Sequence, residues 1–122
     1  MDLSVIVVEY RNTEMVKDAV TSFRENLGDF KYEIVVISNS VYGSEVQEKL
    51  RRELPGVSLI FNEHNVGFSK ANNQGMRQAM GDMVLLINPD AKLLDQSVRF
   101  AIEMMKSKER FAKVGPMIVD KN

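Results

Sequence analysis

Short apolar runs alternate with amphipathic stretches along this chain, a pattern that predicts a sheet with helices packed on it. Four runs have the length and the β-branched content of strands, and they cover Leu3–Val8, Tyr32–Ile37, Val57–Phe61 and Met83–Ile87. Three of them are apolar almost throughout, as is typical of parallel strands covered on both faces. A last short strand is predicted within Val114–Val119. The pattern indicates an α/β fold with a mostly parallel, Rossmann-like sheet flanked by helices.

The first stretch between strands has helical periodicity, with apolar residues three and four positions apart. The predicted helix follows Asn12 or Thr13 as its N-cap and ends before Gly28 as its C-cap. Its apolar face consists of Val16, Ala19, Val20 and Phe23.

Three further helices are predicted. Ser44 with Gln47 matches a capping box that opens the second helix, which Pro55-Gly56 ends. The third runs from about Phe68 to Met80 and is closed by Gly81, and the fourth begins at Asp95. No repeat or linker interrupts the pattern, so residues 1–122 are expected to form a single domain.

Charge and composition narrow the function classes. Lys and Arg number 16 against 17 Asp and Glu, and the net charge of −1 disfavours nucleic-acid binding through phosphate neutralisation. The absence of cysteine excludes disulfides, thiolate catalysis and cysteine zinc sites. No apolar run approaches about 18 residues, and Asp2 stands where a signal peptide would be basic. We therefore expect no membrane segment and a cytoplasmic location.

In open α/β sheets, ligands bind beyond the carboxyl ends of the strands. Polar loops follow all four predicted strands, at Glu9–Asn12, Ser38–Gly43, Asn62–Gly67 and Asn88–Asp90. This edge of the sheet is the predicted site. His64 lies in one of these loops and is interpreted as a surface residue.

Asn88-Pro89-Asp90 directly follows an apolar strand, so alternation would turn the Asn88 amide and the Asp90 carboxylate to one side. Such oxygen donors suit Mg²⁺ or Mn²⁺, which needs one or two carboxylates plus ligand phosphates. The alternative is an ordinary Asn-Pro-Asp turn without a metal.

The stretch from Asn65 to Gly75 is rich in glycine and asparagine. Gly67 permits a positive φ or a close backbone approach, and the helix behind it would direct free N–H groups at an anion. The alternative is that Asn72 and Asn73 are merely one exposed and one capping residue. There is no Walker loop and no GxGxxG after the first strand, so P-loop and classical dinucleotide binding are unsupported.

Tyr10 could stack on a base and Arg11 could pair with a phosphate, although a solvated loop is an equal alternative.

Taken in order, these pieces resemble the nucleotide-sugar-binding part of family 2 glycosyltransferases, which have the GT-A fold. The segments LSVIVVEYRNTEMVKDAVTSF and YEIVVISNSVYGS are similar to the family's first two strands and their loops. Two further segments resemble the rhamnosyltransferase-like branch, which uses Asn-Pro-Asp as its DxD motif. They are NEHNVGFSKANNQGMRQAMGDMVLLINPDAKL and KVGPMIVD.

The resemblance implies a metal-assisted, inverting transfer of sugar from a UDP- or dTDP-linked donor. Asp90 would ligate the divalent cation, Mg²⁺ or Mn²⁺, that bridges the donor diphosphate. Nucleotide-sugar binding is expected from Val8, Glu9, Tyr10, Arg11, Ser38, Asn39, Ser40, Gly67, Asn72, Asn73 and Asn88.

The chain departs from the family pattern in three ways. Ser38 stands where the family usually has a base-contacting Asp, and Glu9-Tyr10-Arg11 replaces the family's Asn-Tyr-Asn. The chain is also shorter than family members, whose acceptor pocket and general base follow the DxD motif. We expect a domain truncated before the acceptor-binding part, containing no general base and inactive alone. The alternative is a non-catalytic nucleotide-binding or self-associating α/β domain, and a homodimer is possible in either case.

Overall fold

The computed structural model describes residues 1–87, Arg99, Glu103 and the backbone of 117–120. The elements in chain order are β1 (Leu3–Glu9), α1 (Thr13–Asn26), β2 (Tyr32–Ser38), α2 (Ser44–Glu53), β3 (Ser58–Phe61), α3 (Phe68–Gln78), β4 (Met83–Ile87) and β5 (Met117–Asp120). The four long predicted strands are thus confirmed to within a residue. The helix predicted from Asp95 lies outside the described residues, apart from Arg99 and Glu103, which are helical.

The strands form one sheet in the order β3-β2-β1-β4-β5. The first four strands are parallel, whereas β5 pairs antiparallel with β4. The predicted α/β class with a mostly parallel sheet is therefore confirmed. The last strand lies at Met117–Asp120 rather than within 114–119.

Side chains of β1 alternate between two apolar cores, one on each face of the sheet. Leu3, Val5 and Val7 pack in the core that contains the apolar face of α1. Ile6 and Val8 pack in the core that contains residues of α3. The approach of α3 is close, because a Cβ at Gly75 would lie 2.5 Å from Cγ2 of Ile6.

The predicted N-cap of α1 is correct, whereas its predicted C-cap is one residue too late. Asn12 is the N-cap of α1, as predicted, and its Oδ1 accepts a hydrogen bond from the Met15 N–H at 3.1 Å. The C-cap of α1 is Leu27, one residue before the predicted Gly28.

The capping box predicted for α2 is wrong. The N-cap is Gly43, which has no side chain to cap with, and Ser44 is already the first helical residue. Gln47 Nε2 instead donates to the Tyr42 carbonyl at 2.9 Å. The chain enters α2 through an extended Gly43, with φ −71° and ψ 172°, which moves Ser44 one position too far along to cap. No described helix has the length and apolar character needed to cross a bilayer.

The order of the strands places a topological switch point at the carboxyl end of β1. The chain moves from β1 to β2 and β3 on one side, then returns to β4 on the other. Helices α1 and α2 contribute to one core and α3 to the other. Reversal of strand order beside β1 is the topological switch point at which open α/β sheets bind ligands.

Candidate functional site

Three polar loops converge at the carboxyl edge of the sheet. Glu9 pairs with Ser38 and Ser38 pairs with Phe61, so β1, β2 and β3 end in line. On the other side of β1, Ile87 at the end of β4 pairs with Val7. The loops 10–12, 39–43 and 62–67 therefore lie side by side, as a parallel sheet requires.

Glu9 is the centre of the first two loops. Its side chain is buried, with 2% of its surface exposed. Oε1 accepts hydrogen bonds from Ser38 Oγ and Ser40 Oγ, both at 2.7 Å. Oε2 accepts from Tyr42 Oη at 2.9 Å and from the Asn12 backbone N–H at 2.8 Å. The carboxylate replaces its lost hydration with charge-assisted hydrogen bonds, which makes its burial tolerable.

Burial raises the pKa of the Tyr42 hydroxyl above its usual 10.0, and the hydrogen bond to the Glu9 carboxylate acts in the same direction. A hydrogen bond with Ser40 and the positive charge of Arg11 oppose the increase in pKa. Near neutral pH, Tyr42 therefore keeps its proton and donates a hydrogen bond to Glu9.

This raised pKa predicts a loss of stability in alkali. The unfolded chain releases the Tyr42 proton near pH 10, whereas the folded chain retains it to higher pH, so the free energy of unfolding falls as pH rises above about 10. Denaturant titrations at pH 8, 10 and 11 should give a smaller decline for Tyr42→Phe than for the unsubstituted chain. Tyr10 and Tyr32 are common to both proteins and cancel in the comparison. Equal declines would contradict the prediction.

Tyr10 and Arg11 present the outer surface of the first loop. The Tyr10 ring is 46% exposed, and the Arg11 guanidinium lies 5.1 Å from its centroid. The Arg11 backbone has φ +53°, an uncommon value for a residue other than glycine. A π face and a guanidinium are thus offered together at the sheet edge.

A network of side-chain amides holds the third loop. Asn62 Nδ2 donates to both Asn39 Oδ1 and Gln74 Oε1 at 2.9 Å, and Gln74 Nε2 donates back to Asn62 Oδ1 at 2.9 Å. Asn39 also donates to the Gly67 carbonyl at 3.2 Å and accepts a long 3.4 Å hydrogen bond from the Val66 N–H. The end of β2 therefore sets the position from which α3 begins.

Helix α3 begins at Phe68 with Gly67 as its N-cap, at φ +87° and ψ 167°. The first turn contains no acidic residue and Gly67 provides no side-chain cap, so side chains leave its N–H groups uncapped. Lys70 is exposed in the same turn. Free N–H groups and the helix dipole favour an anion at such an end.

The two asparagines of α3 lie in different surroundings, and neither caps the helix. Asn72 is buried, and its Oδ1 accepts no hydrogen bond from the described residues. Asn73 is exposed and lines a groove on the outer face of α3 together with Val66, Lys70 and Arg77. The alternative reading of one exposed and one capping asparagine is therefore half right.

The remaining predicted residues differ in accessibility. Val8 is packed in the α3 core, so its side chain does not face the loops. Ser38 is 2% exposed and uses its hydroxyl on Glu9. His64 is exposed, which confirms its prediction as a surface residue. Asn88 and Asp90 lie outside the described residues.

Three contributing residues, Tyr42, Asn62 and Gln74, lie in stretches that the sequence had singled out, but no individual role was predicted for them. The hydroxyls at Ser38, Ser40 and Tyr42, together opposite a lone acid at the end of β1, were the available signal for the Glu9 cluster.

The fold is that of a known family. The sequence profile of Glycosyl transferase family 2 matches residues 4–121, so the chain belongs to that family. Membership agrees with the predicted resemblance, whereas the rhamnosyltransferase-like branch stays a prediction.

Two curated relatives are similar along the sequence. The low-salt glycan biosynthesis hexosyltransferase Agl10 of Haloferax volcanii is 26% identical over 124 aligned positions, which cover 98% of this chain and 38% of that protein. The glycosyltransferase YwdF of Bacillus subtilis is 29% identical over 91 positions, which cover 74% of this chain and 33% of that protein. The chain thus spans about a third of the length of each of these relatives.

Two solved structures share the fold. The structure of S. aureus TarS 1-349 in complex with UDP has a TM-score of 0.56 and 26% identity over 86% of this chain and 33% of that chain. The mannosyltransferase PcManGT of Pyrobaculum calidifontis, in complex with GDP-Man and Mn²⁺, has a TM-score of 0.57 and 21% identity over 75% of this chain and 30% of that chain. The sheet is therefore that of the GT-A glycosyltransferases.

Proposed function

We propose that this chain is the donor-binding part of a glycosyltransferase and holds a nucleoside-diphosphate sugar whose sugar passes to an acceptor in the intact enzyme. The observation that carries the proposal is the convergence of three polar loops at the switch point beside β1, in a member of Glycosyl transferase family 2. The likeness to UDP-bound TarS supports a uridine nucleotide. A dTDP-linked donor is the alternative from the sequence, and GDP is the one suggested by the Pyrobaculum neighbour.

The proposed roles follow from exposure and charge. Tyr10 stacks on the base, since its ring is the exposed aromatic surface of the first loop. Arg11 pairs with a phosphate oxygen. The uncapped start of α3 and the orphaned Oδ1 of Asn72 supply donors and an acceptor for the diphosphate and sugar. A buried polar atom without a partner is unfavourable unless a ligand or another part of the chain satisfies it.

A divalent cation is proposed for the same site. The protein's ligands are proposed to be Asp90 with Asn88, as the family resemblance of Asn88-Pro89-Asp90 implies. Within the described residues there is no cluster of three or more acidic or histidine side chains. Carboxylate and amide oxygens fit Mg²⁺ or Mn²⁺, and phosphate oxygens would complete the coordination. When bound, the cation neutralises charge on the leaving nucleoside diphosphate.

We propose an inverting transfer, for which this chain's residues bind and orient the donor without providing the general base. The acceptor-binding part and the base are proposed to lie outside these 122 residues, which would leave the isolated chain inactive. A cytoplasmic location stays a prediction from the sequence.

Calorimetric titration tests the proposal. UDP, dTDP and GDP are titrated into the chain with and without Mn²⁺, and one of them is expected to bind at least tenfold more tightly with the metal. Asp90→Asn should remove the metal dependence. Asp82→Asn is the matched control, because Asp82 precedes β4 at the opposite edge of the sheet. Absence of nucleotide binding, or equal behaviour of the two variants, would contradict the proposal.

The alternative of a non-catalytic, self-associating domain makes a separate prediction. Sedimentation velocity over a range of concentrations would then give a dimer, and nucleotide would leave the distribution unchanged. A monomer at all concentrations removes this alternative.

A further inference from the structure

The carboxylate of Glu9 has no acceptor position left for a ligand. A carboxylate offers about four lone-pair directions, and those of Glu9 meet two hydroxyls on Oε1 and a phenol and a backbone N–H on Oε2. With 2% of its surface exposed, the side chain also cannot reach solvent. Any effect of Glu9 on the site must therefore be exerted through the groups that donate hydrogen bonds to it.

Those donors tie together two loops that are distant in the sequence. Asn12 belongs to the β1–α1 loop, whereas Ser40 and Tyr42 belong to the β2–α2 loop, 31 and 33 positions after Glu9. Ser40 adds a direct link, because its Oγ also accepts the Arg11 N–H at 2.6 Å. The two loops thus meet on a single buried charge.

The same two loops contain strained backbone. Arg11 has φ +53° and Val41 has φ +60°, and these are the positive-φ residues other than glycine in the described part of the chain. For a β-branched residue such as Val41 the value is a true outlier. Residues in such regions cost about 1–3 kcal/mol each and persist only where their surroundings hold them.

Residues next to both strained residues donate hydrogen bonds to Glu9. Val41 lies between Ser40 and Tyr42, whose hydroxyls both donate to Glu9. On the other loop, Arg11 lies immediately before Asn12, whose N–H donates to Glu9. The carboxylate is therefore the common group that holds both outlying conformations.

We propose that Glu9 is a positioning residue that locks the β1–α1 and β2–α2 loops into one rigid unit and so presents Tyr10, Arg11 and Val41 to the nucleoside diphosphate. The inference rests on the proposed function of this edge as the donor site. Tyr10 and Val41 are 46% and 53% exposed, which leaves them available to a ligand. A loop ordered before binding spares the complex the entropy of ordering it, which increases affinity.

A carboxylate suits this role better than an amide. Glu9→Gln replaces one acceptor oxygen by an NH₂ group in a cavity where every partner is a donor. The hydroxyl hydrogens can rotate away from the new NH₂ group, but the Asn12 N–H is fixed by the backbone. Either a buried donor or acceptor therefore loses its partner, or the NH₂ group of the amide faces a hydroxyl. The substitution keeps the size of the side chain and removes its charge.

Two measurements on the 122-residue chain test the proposal. Amide hydrogen exchange at Arg11 and Asn12 is expected to be at least tenfold faster in Glu9→Gln, and saturating nucleotide should restore most of the protection. Titration with UDP, or with GDP if UDP does not bind, in the presence of Mn²⁺ should give at least tenfold weaker binding with a less favourable entropy. Glu25→Gln is the matched control, since Glu25 is an exposed acid in the last turn of α1, away from the three loops, and it is expected to change affinity less than twofold.

Each outcome decides the proposal. Unchanged exchange in a folded Glu9→Gln chain overturns it, and faster exchange with unchanged affinity reduces Glu9 to a structural residue and overturns it too. If Glu9→Gln does not fold, Ser40→Ala carries the test, because it removes one donor to Glu9 and the acceptor of the Arg11 N–H. If the unsubstituted chain binds no nucleotide, the proposed function fails and the positioning role fails with it. The exchange data then still report separately whether Glu9 ties the loops.

Discussion

Replacing Gly67 by alanine is expected to lower the free energy of unfolding by about 2 kcal/mol and to weaken nucleotide binding about tenfold. At φ +87° and ψ 167°, Gly67 occupies a region of backbone conformation that is open almost only to glycine. The backbone cannot easily relax, because the Gly67 carbonyl accepts from Asn39 and its N–H donates to Asn65. Relief of the strain would shift the first turn of α3, which is the proposed anion site.

Gly43→Ala is the matched control for this prediction. Gly43 is likewise a helix N-cap, but it has φ −71° and no atom within 4 Å of an added Cβ. Both variants lose the contribution of a glycine cap, so the difference between them isolates the backbone angle. Gly43→Ala is expected to cost less than about 1 kcal/mol. Urea denaturation and UDP titration measure the two effects, and equal losses in the two variants would contradict the prediction.

Gly81→Ala is expected to destabilise the chain by about 3 kcal/mol, the upper end of the range for overpacking. An added Cβ would lie 2.5 Å from the Ser4 nitrogen and 2.6 Å from the Leu3 carbonyl carbon. These are backbone atoms of the central strand β1, which is paired on both sides and cannot move aside. Hydrogen bonds also hold the Met80-Gly81 backbone in place. The Gly81 N–H donates to Ser4 Oγ at 2.8 Å, and the Met80 N–H donates to Glu33 Oε2 at 2.6 Å.

The same urea denaturation measures this loss, again beside Gly43→Ala as a methyl group added in open space. Gly81 lies at the amino edge of the sheet, opposite the proposed donor site, so nucleotide affinity of the folded fraction should remain within twofold. A loss of stability below about 1 kcal/mol, or a large loss of affinity, would count against the expected packing.

Local patterns predicted most of the features whose controlling interactions lie within a few residues. The apolar runs predicted β1, β2 and β4, because burial on both faces leaves few polar positions in such strands. Asn12 was predictable as a cap because its partner, the Met15 N–H, is three residues away. The capping box predicted at Ser44 is wrong although it too depends on neighbouring residues, because a shift of one residue at the start of α2 is enough to remove it.

The site depended on contacts that no local pattern encodes. The sequence predicted Glu9 as the first residue of a polar loop. In the structure it is the last residue of β1 and is as buried as the valines before it. The three side-chain donors that make its burial tolerable are 29 to 33 positions away. The amide network likewise joins Asn39 to Asn62, 23 positions apart.

The sequence by itself determined the α/β class, the edge of the sheet at which to look and the membership of a glycosyltransferase family, because periodicity and motif order are local properties of the chain. Only the tertiary structure decided that β5 runs antiparallel, that Asn72 is buried while Asn73 is exposed, and that Glu9 joins two loops. The physical reason is that a buried charge or amide is stable only beside partners that satisfy it. Here those partners become neighbours only when the strands pair.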